Sequence, residues 1–191
     1  MSRIPRLFVI SGPSGAGKGT LVSLLRKRRP DLGLTVSATT RKPREGETPN
    51  VSYYFVTEDT FSAWVAEGAF LEHAGNYGNR YGTLWSEVNP HLKAGRSVIL
   101  EIDVQGGFNV RKAFPDAVLI FIMPPSIEDL EARLRHRGTE TEEQIQKRLK
   151  RAIAELELAS QYDEIVVNDD RERACSELVA LIDSYETDER N

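Results

Sequence analysis

The sequence predicts a three-layer α/β fold, a parallel core sheet between helices, interrupted by one inserted subdomain and one small lid. Three observations carry this. Short β-branched runs alternate along the chain with helical apolar patterns, the signature of a parallel sheet covered on both faces. The first run, Leu7-Phe8-Val9-Ile10, passes through a glycine-rich turn directly into a helical stripe. From Thr39 to Tyr54 the texture shifts to Arg, Pro, Gly and Glu before the alternation resumes.

Taken in order, the strand at Leu7 to Ile10 leads to a helix over Gly17 to Arg29. Leu21, Val22, Leu24 and Leu25 form its apolar stripe, Lys27, Arg28 and Arg29 place cations in its last turn, and Pro30 closes it. Leu34 to Ser37 reads as a second strand. Inside the insert, Tyr53-Tyr54-Phe55-Val56 reads as a strand and Phe61 to Glu67 as a short helix. The core resumes with a helix over Leu84 to Ala94, a strand over Ser97 to Ile102 and a helix over Val104 to Ala113. It continues with a strand over Val118 to Ile122 and a helix over Ser126 to Arg135, which breaks at Gly138. Thr141 is the N-cap of a helix over Glu142 to Ser160. A strand over Ile165 to Val167 and a helix over Arg171 to Tyr185 complete the pattern, leaving a polar tail from Glu186. The expected organisation is a single domain over 1–191, with core segments 1–36, 84–136 and 144–191, an insert over 37–83 and a lid over 137–143.

Composition bounds the partners. The chain has 191 residues, 40% hydrophobic and 28% charged, with a formal net charge of −4. That is enough for one substantial core, and too acidic overall for a nucleic-acid coat or a membrane patch, both of which rely on a basic excess. Cys175, the single cysteine, cannot form an internal disulfide and reads as a small core or boundary residue, and the three histidines His73, His91 and His136 have no metal-site spacing. No signal-peptide h-region or membrane-spanning run is evident, so the expected location is the cytoplasm.

The first chemistry lies in Gly12-Pro13-Ser14-Gly15-Ala16-Gly17-Lys18-Gly19-Thr20. Glycines at 12, 15 and 17 let backbone N–H groups turn inward around phosphate oxygens. Lys18 adds a point charge, and the following helix directs its N-terminus at the same place. The strict motif has Ser or Thr directly after the lysine to hold Mg²⁺; here Gly19 intervenes and Thr20 follows.

Two further groups lie in the core segments. Glu101 and Asp103 end the strand at Ser97 to Ile102, where open α/β sheets bind ligands; each reads either as a group facing Mg²⁺ or a second substrate, or as a helix cap. Arg133, Arg135, Arg137 and Arg148 cluster around the Gly138 break, with Arg133 and Arg137 one helical turn apart. Phosphoryl transfer calls for such positioned cations, because charge spreads over the migrating group; the other reading is a solvated helix face laced with Glu and Arg pairs, as Glu142, Glu143, Gln146, Lys147, Arg148 and Arg151 suggest.

The insert carries the substrate signal. Arg41 and Arg44 flank Pro43 in Ser37-Ala38-Thr39-Thr40-Arg41-Lys42-Pro43-Arg44-Glu45-Gly46-Glu47, and with Tyr53 and Tyr81 they suit a second phosphate monoester. Glu72, following Phe70 and Leu71, is a single carboxylate in an apolar setting. It suits guanine, whose N1–H and N2 amino group are adjacent donors, whereas adenine would turn an acceptor toward it. Ser37 and Thr83 complete the base edge.

With these residues in place the chain resembles the guanylate kinases over nearly its whole length. The resemblance rests on Gly-Pro-Ser-Gly-Ala-Gly-Lys at 12–18, Thr-Thr-Arg-x-Pro-Arg-x-Gly-Glu at 39–47, Ile-Asp-Val-Gln-Gly at 102–106, Arg-x-Arg-Gly at 135–138 and Val-Asn-Asp-Asp at 167–170. The Thr-Thr-Arg block is the specific one, since phosphate loops are widely shared. The resemblance implies a P-loop core, a GMP-binding subdomain over 37–83 and a lid near 137–143 that closes over both nucleotides. It implies transfer of the γ-phosphoryl group of ATP to GMP, or to dGMP, with Mg²⁺ accompanying ATP. By that resemblance ATP falls on Gly12, Pro13, Ser14, Gly15, Ala16, Gly17, Lys18, Gly19, Thr20 and Arg133. GMP falls on Ser37, Arg41, Arg44, Tyr53, Glu72, Tyr81, Thr83 and Glu101. Lys18, Arg137 and Arg148 act on the transferred group; no direct metal ligand is assigned, Thr20 and Asp103 being the candidate oxygen donors. Arg80 stands where the family has a tyrosine and Glu101 where it has an aspartate, and the Arg80 change is expected to tune the GMP side. Two other readings use the same residues: a non-catalytic guanylate-kinase-like module binding phosphopeptides through the GMP site, which would keep Arg41, Arg44 and Tyr53 but could lose the phosphate loop, and a P-loop kinase of another phosphorylated metabolite; a coupled assay with GMP, AMP, dGMP and UMP separates them.

Overall fold

The structure, a computed structural model, describes residues 3–76, 78–136 and 141–187; Arg137 and most of the expected lid lie outside them. Five parallel strands form the core sheet: β1 (Leu7–Ser11), β2 (Gly33–Leu34), β7 (Val98–Glu101), β8 (Val118–Met123) and β9 (Glu164–Val167), in the order β2-β7-β1-β8-β9. Strand alternation builds two cores from one sheet. Phe8, Ile10, Ile120 and Ile122 point to one face, where they meet Leu21 and Leu25 of α1 (Lys18–Arg28) and Leu178 and Ile182 of α7 (Arg171–Glu186). Leu7, Val9, Leu119 and Phe121 point to the other, against Val88 of α3 (Trp85–Lys93) and Val110 of α4 (Val104–Ala113). Cys175 is fully buried in the first of these cores.

The expected strand at Leu34 to Ser37 is shorter than its apolar content suggests. The Val36 N–H is taken by the Glu87 carboxylate at 2.9 Å, so the ladder to β7 stops and the chain leaves the core sheet. It enters a second sheet of order β4-β3-β6-β5, built from β3 (Ala38–Thr39), β4 (Tyr54–Phe55), β5 (Phe70–Asn76) and β6 (Asn79–Leu84). Helix α2 (Glu58–Ala66) starts earlier than the apolar pattern alone implies, because the Thr57 side chain caps it by accepting the Thr60 N–H at 3.2 Å. Stacked Phe61 and Phe70 rings, 4.5 Å apart, fill the small core beneath.

Two helices flank the segment expected to form the lid. α5 (Ile127–His136) and α6 (Glu142–Leu156) pack through Leu130, Leu134, Leu149 and Ala152. Thr141 caps α6 as expected, in a capping box with Gln144. The helix ends at Leu156 rather than Ser160: a tight turn at Ala159–Gln161 redirects the chain and carries Tyr162 into the core.

Candidate active site

The turn between β1 and α1 is built for an anion. Gly12 has φ 144° and Gly17 has φ 89°, and a Cβ would fall 2.3 Å from the Ile122 carbonyl oxygen at the first and 2.4 Å from Asn168 Nδ2 at the second. Only glycine fits either place. Gly17 is the N-cap of α1 and no side chain caps that helix, so its first N–H groups face the loop interior. Lys18 Nζ donates to the Gly12 and Pro13 carbonyls at 2.6 and 3.1 Å, holding its charge over the mouth of the loop. Arg148, from α6, donates to Ser14 Oγ, so α6 reaches the loop.

Behind the loop, Asn168 Nδ2 donates to the Ala16 carbonyl at 2.7 Å, and Arg133 donates to the Asn168 carbonyl at 3.0 Å and the Ala16 carbonyl at 3.4 Å. Asn168 and Arg133, with Gly17, Thr20 and Asp169, border an open pocket of about 430 Å³ beside the start of α1. Thr20 opens onto this pocket.

The two strand-end carboxylates separate. Asp103 is the N-cap of α4, with Oδ1 accepting the Gly106 N–H at 2.8 Å and Oδ2 facing Arg151 at 3.4 Å. The capping alternative thus describes this residue. Glu101 instead opens onto the cleft beside the loop, its Oε1 3.4 Å from where a side chain at Gly19 would begin. Loss of hydration raises its carboxyl above the usual range, against the pull of Lys18.

On the second sheet, Arg41, Tyr53 and Tyr81 come together. The Arg41 guanidinium lies 5.3 Å from the Tyr53 ring centre, and the Tyr53 and Tyr81 rings are 6.1 Å apart. Arg44 stands exposed nearby, its N–H donating to Glu47 at 2.7 Å. Ser37 is half-buried just before β3, where its carbonyl accepts the Tyr54 N–H. Arg80 does not face this cluster. Adjacent strand residues point to opposite faces, and its guanidinium lies 4.3 Å over the Phe61 ring and donates to Ser62 Oγ at 2.8 Å. The Arg80 side chain thus packs against α2 and not beside the residues expected to hold the GMP phosphate.

Glu72 is 6% exposed and accepts the Thr83 hydroxyl at 3.0 Å across the β5–β6 pair. Burial raises its carboxyl to about 7, partly offset by the Thr83 hydrogen bond and reinforced by Asp103. From an ordinary value of 4.5 up to about 7, the folded protein holds a proton that the unfolded chain releases. This group's contribution therefore declines as pH rises through that window and is at its most unfavourable above it. Glu72→Gln should abolish this fall, worth on the order of a few kcal/mol; urea melts at pH 5 and pH 8 that shift equally in both proteins would refute it.

Sequence reasoning passed over Asn168, Glu47 and Arg151 as individual actors. Asn168 lies in the Val-Asn-Asp-Asp stretch and Glu47 in the Thr-Thr-Arg block, but each earns its place through a partner remote in space or across a loop. Among the described residues no group of His, Cys, Asp or Glu is arranged to hold a metal ion by itself, and no helix is long and apolar enough to cross a membrane.

The guanylate kinase family model matches residues 4–185. The chain is 49% identical to the guanylate kinase of Fusobacterium nucleatum over 93% of its own length and 96% of that protein, and 51% identical to that of a Synechococcus species over 93% and 95%. The crystal structure of guanylate kinase from Anaplasma phagocytophilum superposes with a TM-score of 0.82 at 31% identity, covering 98% of this chain and 89% of that one. A glycine loop with an uncapped helix, an arginine reaching it from α6, and a buried carboxylate on a second sheet therefore occur here within a shared fold, and the chain belongs to the guanylate kinase family.

Proposed function

We propose that this protein transfers the γ-phosphoryl group of ATP to GMP, giving ADP and GDP, in the cytoplasm. The observation that carries the reading is Glu72: a lone carboxylate, buried and hydrogen-bonded to Thr83, beside the Arg41–Tyr53–Tyr81 cluster on the same sheet. Ionised, it accepts guanine N1–H and N2–H together, with Thr83 and Ser37 bordering the base and Arg41 and Arg44 receiving the phosphate. The family membership supports the same substrate.

ATP lies along Gly12 to Thr20, with its base toward Arg133 and its outer phosphates under Lys18. A GMP phosphate oxygen attacks the γ-phosphorus; the bond to the β-phosphate oxygen breaks, and the electron pair leaves with ADP. Lys18, Arg148 and Arg137 balance the charge on the migrating group, and no side chain is required as nucleophile. Mg²⁺ would suit a site that supplies phosphate oxygens, water and one carboxylate rather than a protein cage, and Glu101, whose Oε1 lies 3.4 Å from where a side chain at Gly19 would begin, would receive its hydrated shell. When bound, the ion neutralises phosphate charge.

A coupled assay with ATP and each of GMP, dGMP, AMP and UMP tests the reading, with turnover expected on the guanine nucleotides. Glu72→Gln should raise the KM for GMP about 100-fold or more, leave the KM for ATP within about threefold, and narrow the gap between GMP and AMP. Unchanged GMP and AMP kinetics would remove Glu72 from base recognition.

A further inference from the structure

Glu72 is enclosed without a counter-ion. On one side β6 supplies the Thr83 hydroxyl at 3.0 Å; on another α4 closes in, where a side chain at Gly106 would begin 3.2 Å from Glu72 Oε2. Among the described residues no cation pairs with this carboxyl. The charged group that faces it is Asp103, whose own oxygens are turned to the Gly106 N–H and to Arg151. A carboxyl with a neutral donor, a like charge nearby and little water holds a proton readily. Burial raises it to about 7, so both forms are populated near neutral pH.

The two forms present different partners to a base. The carboxylate has acceptors alone and matches the adjacent N1–H and N2–H donors of guanine. The carboxylic acid has an O–H donor, which matches the N1 acceptor of adenine and leaves the two guanine donors a single acceptor. The Thr83 hydroxyl donates or accepts, so it suits the 6-oxo group of guanine and the 6-amino group of adenine alike. We propose that the protonation state of Glu72 selects the purine monophosphate, the carboxylate taking GMP and the acid taking AMP, so that the preference for guanine rises with pH. The proposal rests on the reading of Glu72 as the residue that meets the base, and deepens it. Because the two complexes differ by one proton, the ratio of the two affinities changes about tenfold per pH unit, whatever the pKa of the group itself.

The test measures GMP binding by calorimetry and AMP binding by displacement of GMP, which reads this site and not the ATP side. Between about pH 6 and pH 8 the ratio of GMP to AMP affinity in the wild-type protein should rise about a hundredfold. Both ligands carry a 5′-phosphate monoester, so its ionisation cancels from the ratio. Glu72→Gln offers a donor and an acceptor at every pH, and its ratio should not move. A wild-type ratio that changes less than about threefold over the same interval overturns the proposal, as does AMP that fails to displace GMP at the acid end. A slope that persists in Glu72→Gln assigns the proton to another group, Asp103 being the one that faces the site, and overturns it equally. Wild-type protein that does not bind GMP at the alkaline end overturns the guanine-site reading and the proposal with it, whereas GMP binding with an invariant ratio overturns the proposal alone.

Discussion

Lys18→Ala is expected to lower the turnover number about a thousandfold or more while leaving the fold in place. The lysine donates to the Gly12 and Pro13 carbonyls and buries no part of itself in either core. Its ammonium stands at the glycine loop, so its removal subtracts a cation from the place where the proposed transfer would shift negative charge. The stability change should remain within about 1 kcal/mol, the net worth of hydrogen bonds of this kind. Steady-state kinetics and urea melts on the same preparation separate the two effects. Retention of wild-type turnover would contradict the phosphate-loop mechanism, and unfolding would assign Lys18 a structural role instead.

Arg29→Met should destabilise the protein by about 3 kcal/mol, without a direct effect on the site. Arg29 is 7% exposed at the end of α1. It donates to Asp31 at 2.6 and 2.9 Å, to Asp183 at 2.6 Å and to Glu186 at 2.8 Å. Asp31 and Asp183 can turn to water, but Glu186 is 2% exposed at the far end of α7, and among the described residues Arg3, at 3.5 Å, is the other cation that faces it. The cost arises chiefly from leaving that buried carboxylate underpaired rather than from losing attraction at the surface. Adding Glu186→Leu to Arg29→Met should recover much of the loss in chemical denaturation, and a double variant no more stable than the single would show that the cost lies elsewhere.

Local elements were legible wherever the signal sat within a few residues. The β1–loop–α1 unit follows from an apolar run, three spaced glycines and an amphipathic stripe in immediate succession, and α4 and α6 follow from periodicity plus a capping residue. The hairpin of β5 and β6 was not legible as strands. A register shift between Phe70 and Glu72 buries three successive residues toward different neighbours, which removes the alternation that marks a strand. Arg80 shows the complementary failure: motif position suggested the cleft, but strand alternation sent the side chain to α2.

By itself the sequence determined the alternation of strands and helices, the glycine loop proposed to receive phosphate and the residue types proposed to read guanine, because these depend on covalent neighbours and on a chemical match that needs no distant partner. The tertiary structure decided how each charge is used. Asp103 became a cap and Glu101 a cleft carboxylate although they are two residues apart, since one begins α4 and the other ends β7. Asn168 came to brace the loop from 152 residues away, and β5 paired with β6 turned Glu72 from an ordinary acid into a buried one raised to about 7. Hydration and field are set by whatever packs around a group, and that neighbourhood exists only once segments distant in the chain have met.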